Sequence, residues 1–285
     1  MGRPISGLNG WPLCGSEVSL ARRTLTILAT LALALVAASV ADGRSSKSSA
    51  CGVSAYSYAG VQSEIKTHGV GAVLEPLQTP NVSAGHVGAW IGLGGTDQGP
   101  GGTAEWIQVG FSAFPNDRMS RIYYEVTVAG AEPKYVELDS SVRPGERHSF
   151  KVLETARRKG WWRVWLDGKA VSPAIRLPGS HGSWYAQAAA ESWNGGVRAC
   201  NSFHYRFANV RLAHSDGGDW RPLGQSIPFH DAGYRLVQTS RVPRSFLATS
   251  LERAQPVAPV PSSVSRAAAQ LAAAHATAFT RFGKK

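Results

Sequence analysis

Cysteine is scarce: the 285 residues hold three, Cys14, Cys51 and Cys200, and no CxxC pair. There is no HExxH, and the eight histidines are scattered, so the sequence supports no metal site. No GxxxxGK[ST] phosphate loop, GxSxG elbow, zinc finger or RNP signature is present. The longest basic run is Arg157-Arg158-Lys159, so the net charge of +11 has no nucleic-acid motif behind it. Sandwich glycosidases place two carboxylates on one strand, and no E-x-D-x-x-E run exists here. Glu125, Glu132, Glu137, Glu154 and Glu191 stand singly. Nothing in these patterns requires a cofactor.

Long apolar runs are also lacking, with one exception near the N-terminus. Arg22-Arg23 precedes an apolar stretch from Leu25 to Val36, followed by small residues to Ala41. That order reads as a secretory signal over residues 1–41, with an uncleaved anchor as the alternative. Its removal takes Arg3, Arg22, Arg23 and Glu17, and lowers the net charge from +11 to +9. Cys14 goes with it. Cys51 and Cys200 then form an even pair in an export setting, bridged or left as two thiols. A Cys51–Cys200 bridge is worth about 5 kcal/mol by chain entropy, before strain. The expected location is secreted or bound to the cell envelope.

Residues 42–50 read as a polar leader. From Cys51 onward, short runs rich in Val, Ile, Tyr, Phe and Trp alternate with Gly, Pro, Asn and Asp. This texture predicts an all-β sandwich over residues 51–250. The expected strands are 54–58, 69–75, 86–93, 104–113, 121–128, 135–138, 149–156, 161–166, 170–176, 185–190, 204–212 and 234–238. Gly92–Gly102 holds six glycines and a proline and reads as a loop. Asp167-Gly168 marks a two-residue hairpin. Pro144-Gly145 marks another turn, and Arg157-Arg158-Lys159 a third. The run from Trp161 to Leu166 is apolar on both faces, as in a central strand. Residues 251–261 read as a proline-rich linker. Residues 262–285 read as a short Ala-rich tail helix, suited to a weak envelope contact.

Two stretches carry uncharged or weakly acidic polar groups beside tryptophan. Strand side chains alternate between faces. Trp106, Gln108 and Gly110 therefore share one face, and Ala189, Glu191 and Trp193 share another. A glutamate can take a proton from water and return it to a leaving amine. A glutamine amide can donate to an oxyanion. Alternation alone leaves both as ordinary strand residues.

The order of four motifs adds to this. Ala89-Trp90-Ile91-Gly92, Ile107-Gln108-Val109-Gly110, Tyr123-Tyr124-Glu125 and Ala190-Glu191-Ser192-Trp193 resemble the landmarks of the glutamic peptidases, or eqolisins. The resemblance spans about residues 54–212. It implies a concanavalin A-like sandwich of two antiparallel sheets, with Gln108 and Glu191 as the catalytic dyad. It also implies Trp90, Trp106, Tyr124, Glu125 and Trp193 as the substrate groove. The departures are specific. Val126-Thr127-Val128 replaces an aromatic and a proline after Tyr-Glu. Ser192 separates Glu191 from Trp193, and the chain is basic where the family is acidic. In composition the texture resembles that of exported proteins of high-GC Gram-positive bacteria. The expected partner is a polypeptide substrate or, in a non-catalytic module, a glycan or envelope polymer. No nucleic acid is expected, and the chain is expected to act as a monomer.

Overall fold

The computed structural model describes residues 56–197, 200–239 and 244–251. The expected signal and leader, Cys51, the expected linker beyond Leu251 and the expected tail helix lie outside the described residues. Among the described residues sixteen strands follow in order: β1 (Tyr56–Thr67), β2 (Gly69–Pro76), β3 (His86–Gly95), β4 (Glu105–Ala113), β5 (Ser120–Thr127), β6 (Lys134–Val142), β7 (His148–Glu154) and β8 (Trp161–Leu166). The chain continues with β9 (Lys169–Ala170), β10 (Ile175–Arg176), β11 (Trp184–Trp193), β12 (His204–Ala213), β13 (Trp220–Pro222), β14 (Ser226–His230), β15 (Tyr234–Gln238) and β16 (Phe246–Ser250). Among the described residues no helix is long and apolar enough to cross a membrane.

The strands form two antiparallel sheets. One runs β14-β1-β11-β3-β4-β5-β6, and the other runs β10-β8-β7-β2-β12-β16-β15, with β9 on β8 and β13 on β12. Their facing sides bury alternate residues: Val87, Ala89, Ile91 and Leu93 on β3, and Ile107, Val109, Phe111 and Ala113 on β4. Opposite them lie Val70, Ala72 and Leu74 of β2, with Phe150 and Val152 of β7. Phe111 meets Phe150 edge-on at 5.2 Å across the layer. Each such ring removes a large apolar area from water, which is what holds two sheets face to face.

Turn chemistry behaves as the sequence predicts at Asp167-Gly168. Both residues take positive φ, as a type I′ hairpin requires, and Leu166 pairs with Lys169.

Four details of the expected layout change. First, Gly92, Gly94 and Gly95 belong to β3, and the loop begins at Thr96. A Cβ on Gly92 would meet Gln108 Cβ and Ile107 O, both at 2.8 Å, so glycine permits a close strand approach there. Second, β8 lies next to the sheet edge. Trp162 and Val164 are buried in the core, whereas Trp161 and Trp165 are only half-buried, under the cations of Arg158 and Lys151. Third, residues 170–176 do not form one strand, because Pro173 interrupts the ladder between β9 and β10. Fourth, β13, β14 and β16 complete the sheets beyond the expected strands. Pro228 sits in β14 at an edge, the place where a residue without an N–H is tolerated.

Candidate active site

The outer face of the seven-stranded sheet carries the polar residues. Strand pairing sets them in rows. One row runs Gln62 on β1, Gln187 on β11, Gly92 on β3, Gln108 on β4, Glu125 on β5 and Tyr135 on β6. A second row runs Tyr58, Glu191, Gly88 and Ser112. Between them lies Gly60, Ala189, Trp90, Gly110 and Tyr123. Glycine and alanine thus form much of the floor, and aromatic rings form the walls.

Gln108 and Glu191 line one open-sided cavity of about 150 Å³, with Tyr58, Trp90, Trp106 and Gln187. Both are almost completely buried, at 6% and 3% exposure. The Gln108 amide N–H donates to the Tyr123 hydroxyl at 3.1 Å. Tyr123 is itself fully buried and stacked on Tyr135 at 5.0 Å. The amide is therefore held by a phenol that has little freedom to move. Glu191 Oε1 lies 3.5 Å from His86 Nε2, and His86 is fully buried. A Cβ on Gly88 would come within 3.1 Å of Glu191 Oε1, so glycine clears the space beside the carboxylate.

Glu125 is fully buried beside this pair. The Trp106 indole N–H donates to its Oε1 at 3.0 Å. Burial raises its pKa to about 8, the charge of Glu191 adds to the rise, and the Trp106 bond opposes it. Glu125 is therefore largely protonated near neutrality. Burial and then the Glu191 charge likewise hold the phenols of Tyr58 and Tyr123 well above their ordinary value. The floor is thus a region where a second negative charge is disfavoured. The Trp90 indole N–H, buried at the cavity wall, finds no acceptor among the described residues.

Of the residues singled out from sequence, Gln108, Glu191, Trp90 and Trp106 line the cavity, and Glu125 lies beneath it against Trp106. Trp193 sits further along the face, 6.2 Å from Tyr56 and 5.5 Å from His86. Tyr124 corrects the expected groove. It points to the opposite side and belongs to the core between the sheets. Strand alternation explains this, since Tyr123, not Tyr124, shares a face with Glu125. The same alternation from Trp90 back to His86 would have found the histidine. Tyr58 left no such signal, because only the pairing of β1 with β11 brings it to Glu191. Cys200 is buried, and its expected partner Cys51 lies outside the described residues.

No protein-family model and no curated protein matches the chain. Among solved structures it is similar to scytalido-glutamic peptidase bound to a transition state analog inhibitor. The TM-score is 0.51 at 14% identity, over 69% of this chain and 98% of that one. It is also similar to SCP-B, a member of the eqolisin family solved with a tripeptide (TM-score 0.47, 16% identity, 70% and 99% covered). A third is the catalytic domain of a laminarinase from Thermotoga petrophila RKU-1 (TM-score 0.32, 14% identity, 46% and 54% covered). The chain therefore carries the two-sheet, concanavalin A-like sandwich fold seen in scytalido-glutamic peptidase.

Proposed function

We propose that this protein is an exported glutamic-peptidase-like hydrolase that cleaves peptide bonds with Gln108 and Glu191. The observation that carries the reading is that these two side chains, from β4 and β11, line the same aromatic-walled cavity. Glu191, as the carboxylate, takes a proton from a water molecule. The water oxygen attacks the peptide carbonyl carbon and gives a tetrahedral intermediate. The Gln108 amide donates a hydrogen bond to the oxyanion, while Tyr123 fixes the amide's orientation. Glu191 returns the proton to the leaving nitrogen as the C–N bond breaks. The neutral acid of Glu125 holds Trp106 without placing a second charge beside Glu191. The fold shared with scytalido-glutamic peptidase supports the peptidase reading at the level of the scaffold.

Protein hydrolysis by the purified chain, followed from acid to neutral pH, tests the reading. Gln108→Ala is expected to lower kcat by roughly 10²-fold or more, the usual effect of losing an oxyanion donor. Glu191→Gln is expected to lower kcat by at least as much. Cleavage that persists unchanged in both variants overturns it.

A second reading is a non-catalytic module that binds a glycan or envelope polymer. It is favoured by Trp90, Trp106 and Tyr58 beside the amides of Gln62 and Gln187 along one face. Aromatic faces bury the apolar C–H surface of sugar rings, and amides bind hydroxyls. Retention on a glycan array, insensitive to Glu191→Gln and without hydrolysis, supports that reading over the first.

A further inference from the structure

A second cluster of chemically active side chains lies where the chain passes between the two sheets. His68 is the single residue between β1 and β2. Glu154 ends β7, and His181 lies in the loop before β11. His68 Nδ1 is 2.7 Å from Glu154 Oε2, and His181 Nδ1 is 2.9 Å from Glu154 Oε1. The three ligand atoms lie within 4.8 Å of one another. From these contacts we infer that His68, Glu154 and His181 form a zinc site.

Three features make this more than a hydrogen-bonded cluster. The donor set is two imidazoles and one carboxylate, which suits Zn²⁺ and not the all-oxygen shells of Ca²⁺ or Mg²⁺. The donors are already gathered: tetrahedral bonds of about 2.0–2.1 Å set ligand atoms roughly 3.3 Å apart, the two His–carboxylate contacts fall a few tenths of an ångström short of that, and all three donor atoms lie within 4.8 Å. The frame is also built in advance. His68 is anchored by its own backbone, its N–H donating to Ala213 O and its C=O accepting from Glu154 N. Glu154 is fully buried and accepts the Gly160 N–H, an outer partner that orients the carboxylate. Gly182, at φ +54, leaves room for the His68 ring, since a Cβ there would sit 2.9 Å from its Cε1. The two imidazoles are 21% and 38% exposed, so the fourth position opens to water.

On binding, each imidazole offers its Nδ1 lone pair and keeps its proton on Nε2. Any proton shared between Nδ1 and Glu154 shifts to Nε2 or leaves to solvent. The ion would tie the β1–β2 corner, the end of β7 and the 177–183 loop together. It is separate from the groove and does not depend on peptidase activity.

Zinc titration of the purified full chain against a chromogenic chelator tests the site. One Zn²⁺ per chain is expected, with affinity falling about 100-fold or more in His68→Ala and in His181→Ala. His181 is the more exposed of the two, so its variant keeps the test valid if His68→Ala folds poorly. Zinc is also expected to raise Tm of the wild type and not of the variants. A Co²⁺-loaded chain should show the intense visible bands of four-coordinate cobalt, lost in both variants. No zinc retained at micromolar free ion, or retention unchanged by both substitutions, overturns the site.

Discussion

Gln108 donates its amide N–H to the hydroxyl of Tyr123 across the β4–β5 pair, at 3.1 Å. That bond fixes which way a flexible amide faces in a groove, and it leaves the second N–H of the same nitrogen for a ligand oxygen. Tyr123→Phe keeps the ring stacked on Tyr135 and removes the acceptor. The expected outcome is a kcat about tenfold lower with KM little changed, because orientation of an oxyanion donor matters most in the transition state. Steady-state kinetics on a peptide substrate checks it. An equal loss in the two parameters' ratio through KM alone would show that Tyr123 serves binding instead.

Glu125 gives the fold a pH dependence of definite sign. Its folded pKa of about 8 lies above the ordinary carboxylate value, so the folded chain holds a proton that the unfolded chain releases. Stability should fall as pH rises from about 4.5 to about 8 and level off above that. Glu125→Gln removes this dependence. The variant is expected to match the wild type near pH 4 and to exceed it by a few kcal/mol, at about 1.4 kcal/mol per unit, near pH 8.5. Denaturant unfolding across that range is the measurement.

Gly88 and Gly92 occupy the floor for different reasons, and their alanine variants should separate stability from activity. A Cβ at Gly92 strikes a backbone oxygen and the Gln108 Cβ, both at 2.8 Å. Gly92→Ala should destabilise by about 1–3 kcal/mol, the usual effect of overpacking. The three atoms nearest a Cβ at Gly88 all belong to the Glu191 side chain, beginning with Oε1 at 3.1 Å and Cγ at 3.2 Å. Gly88→Ala should leave Tm nearly unchanged and lower kcat by displacing the carboxylate. Paired Tm and kcat values for the two variants decide this.

The export reading proposes a Cys51–Cys200 bridge, with Cys200 already buried in the described part of the sandwich. Chain without residues 1–41 should then show no free thiol in denaturant. Reduction should lower its stability by up to about 5 kcal/mol, the entropy of a loop this long. Thiol titration that finds two reactive cysteines removes the bridge.

The sandwich was legible because alternation and turn residues act locally. Asp167-Gly168 dictates its own hairpin, and Val109 and Phe111 dictate a buried face. Gln108, Glu191 and Trp90 were legible as motifs in order, and Trp106 by sharing a strand face with Gln108. Other members of the site required knowledge of pairing. Tyr58 comes to Glu191 only because β1 is the neighbour of β11. Tyr123 and Tyr124 are chemically alike and adjacent, so composition cannot say which enters the groove, whereas the pleat can. The His68–Glu154–His181 cluster joins residues 86 and 27 positions apart, a spacing no short motif encodes. The strands β13 and β14 escaped because short, exposed or proline-bearing segments carry little periodicity, and β16, although it lies inside its sheet with Phe246 and Ala248 buried, is only five residues long.

The central claim is that Gln108 and Glu191 act together on one substrate. A double-mutant cycle in kcat/KM for peptide hydrolysis, using Gln108→Ala, Glu191→Gln and both combined, addresses it directly. A loss of about 100-fold or more is expected in each single variant, with little further loss in the double, as for groups that act as a unit. Hydrolysis that survives Glu191→Gln at the wild-type rate would contradict it.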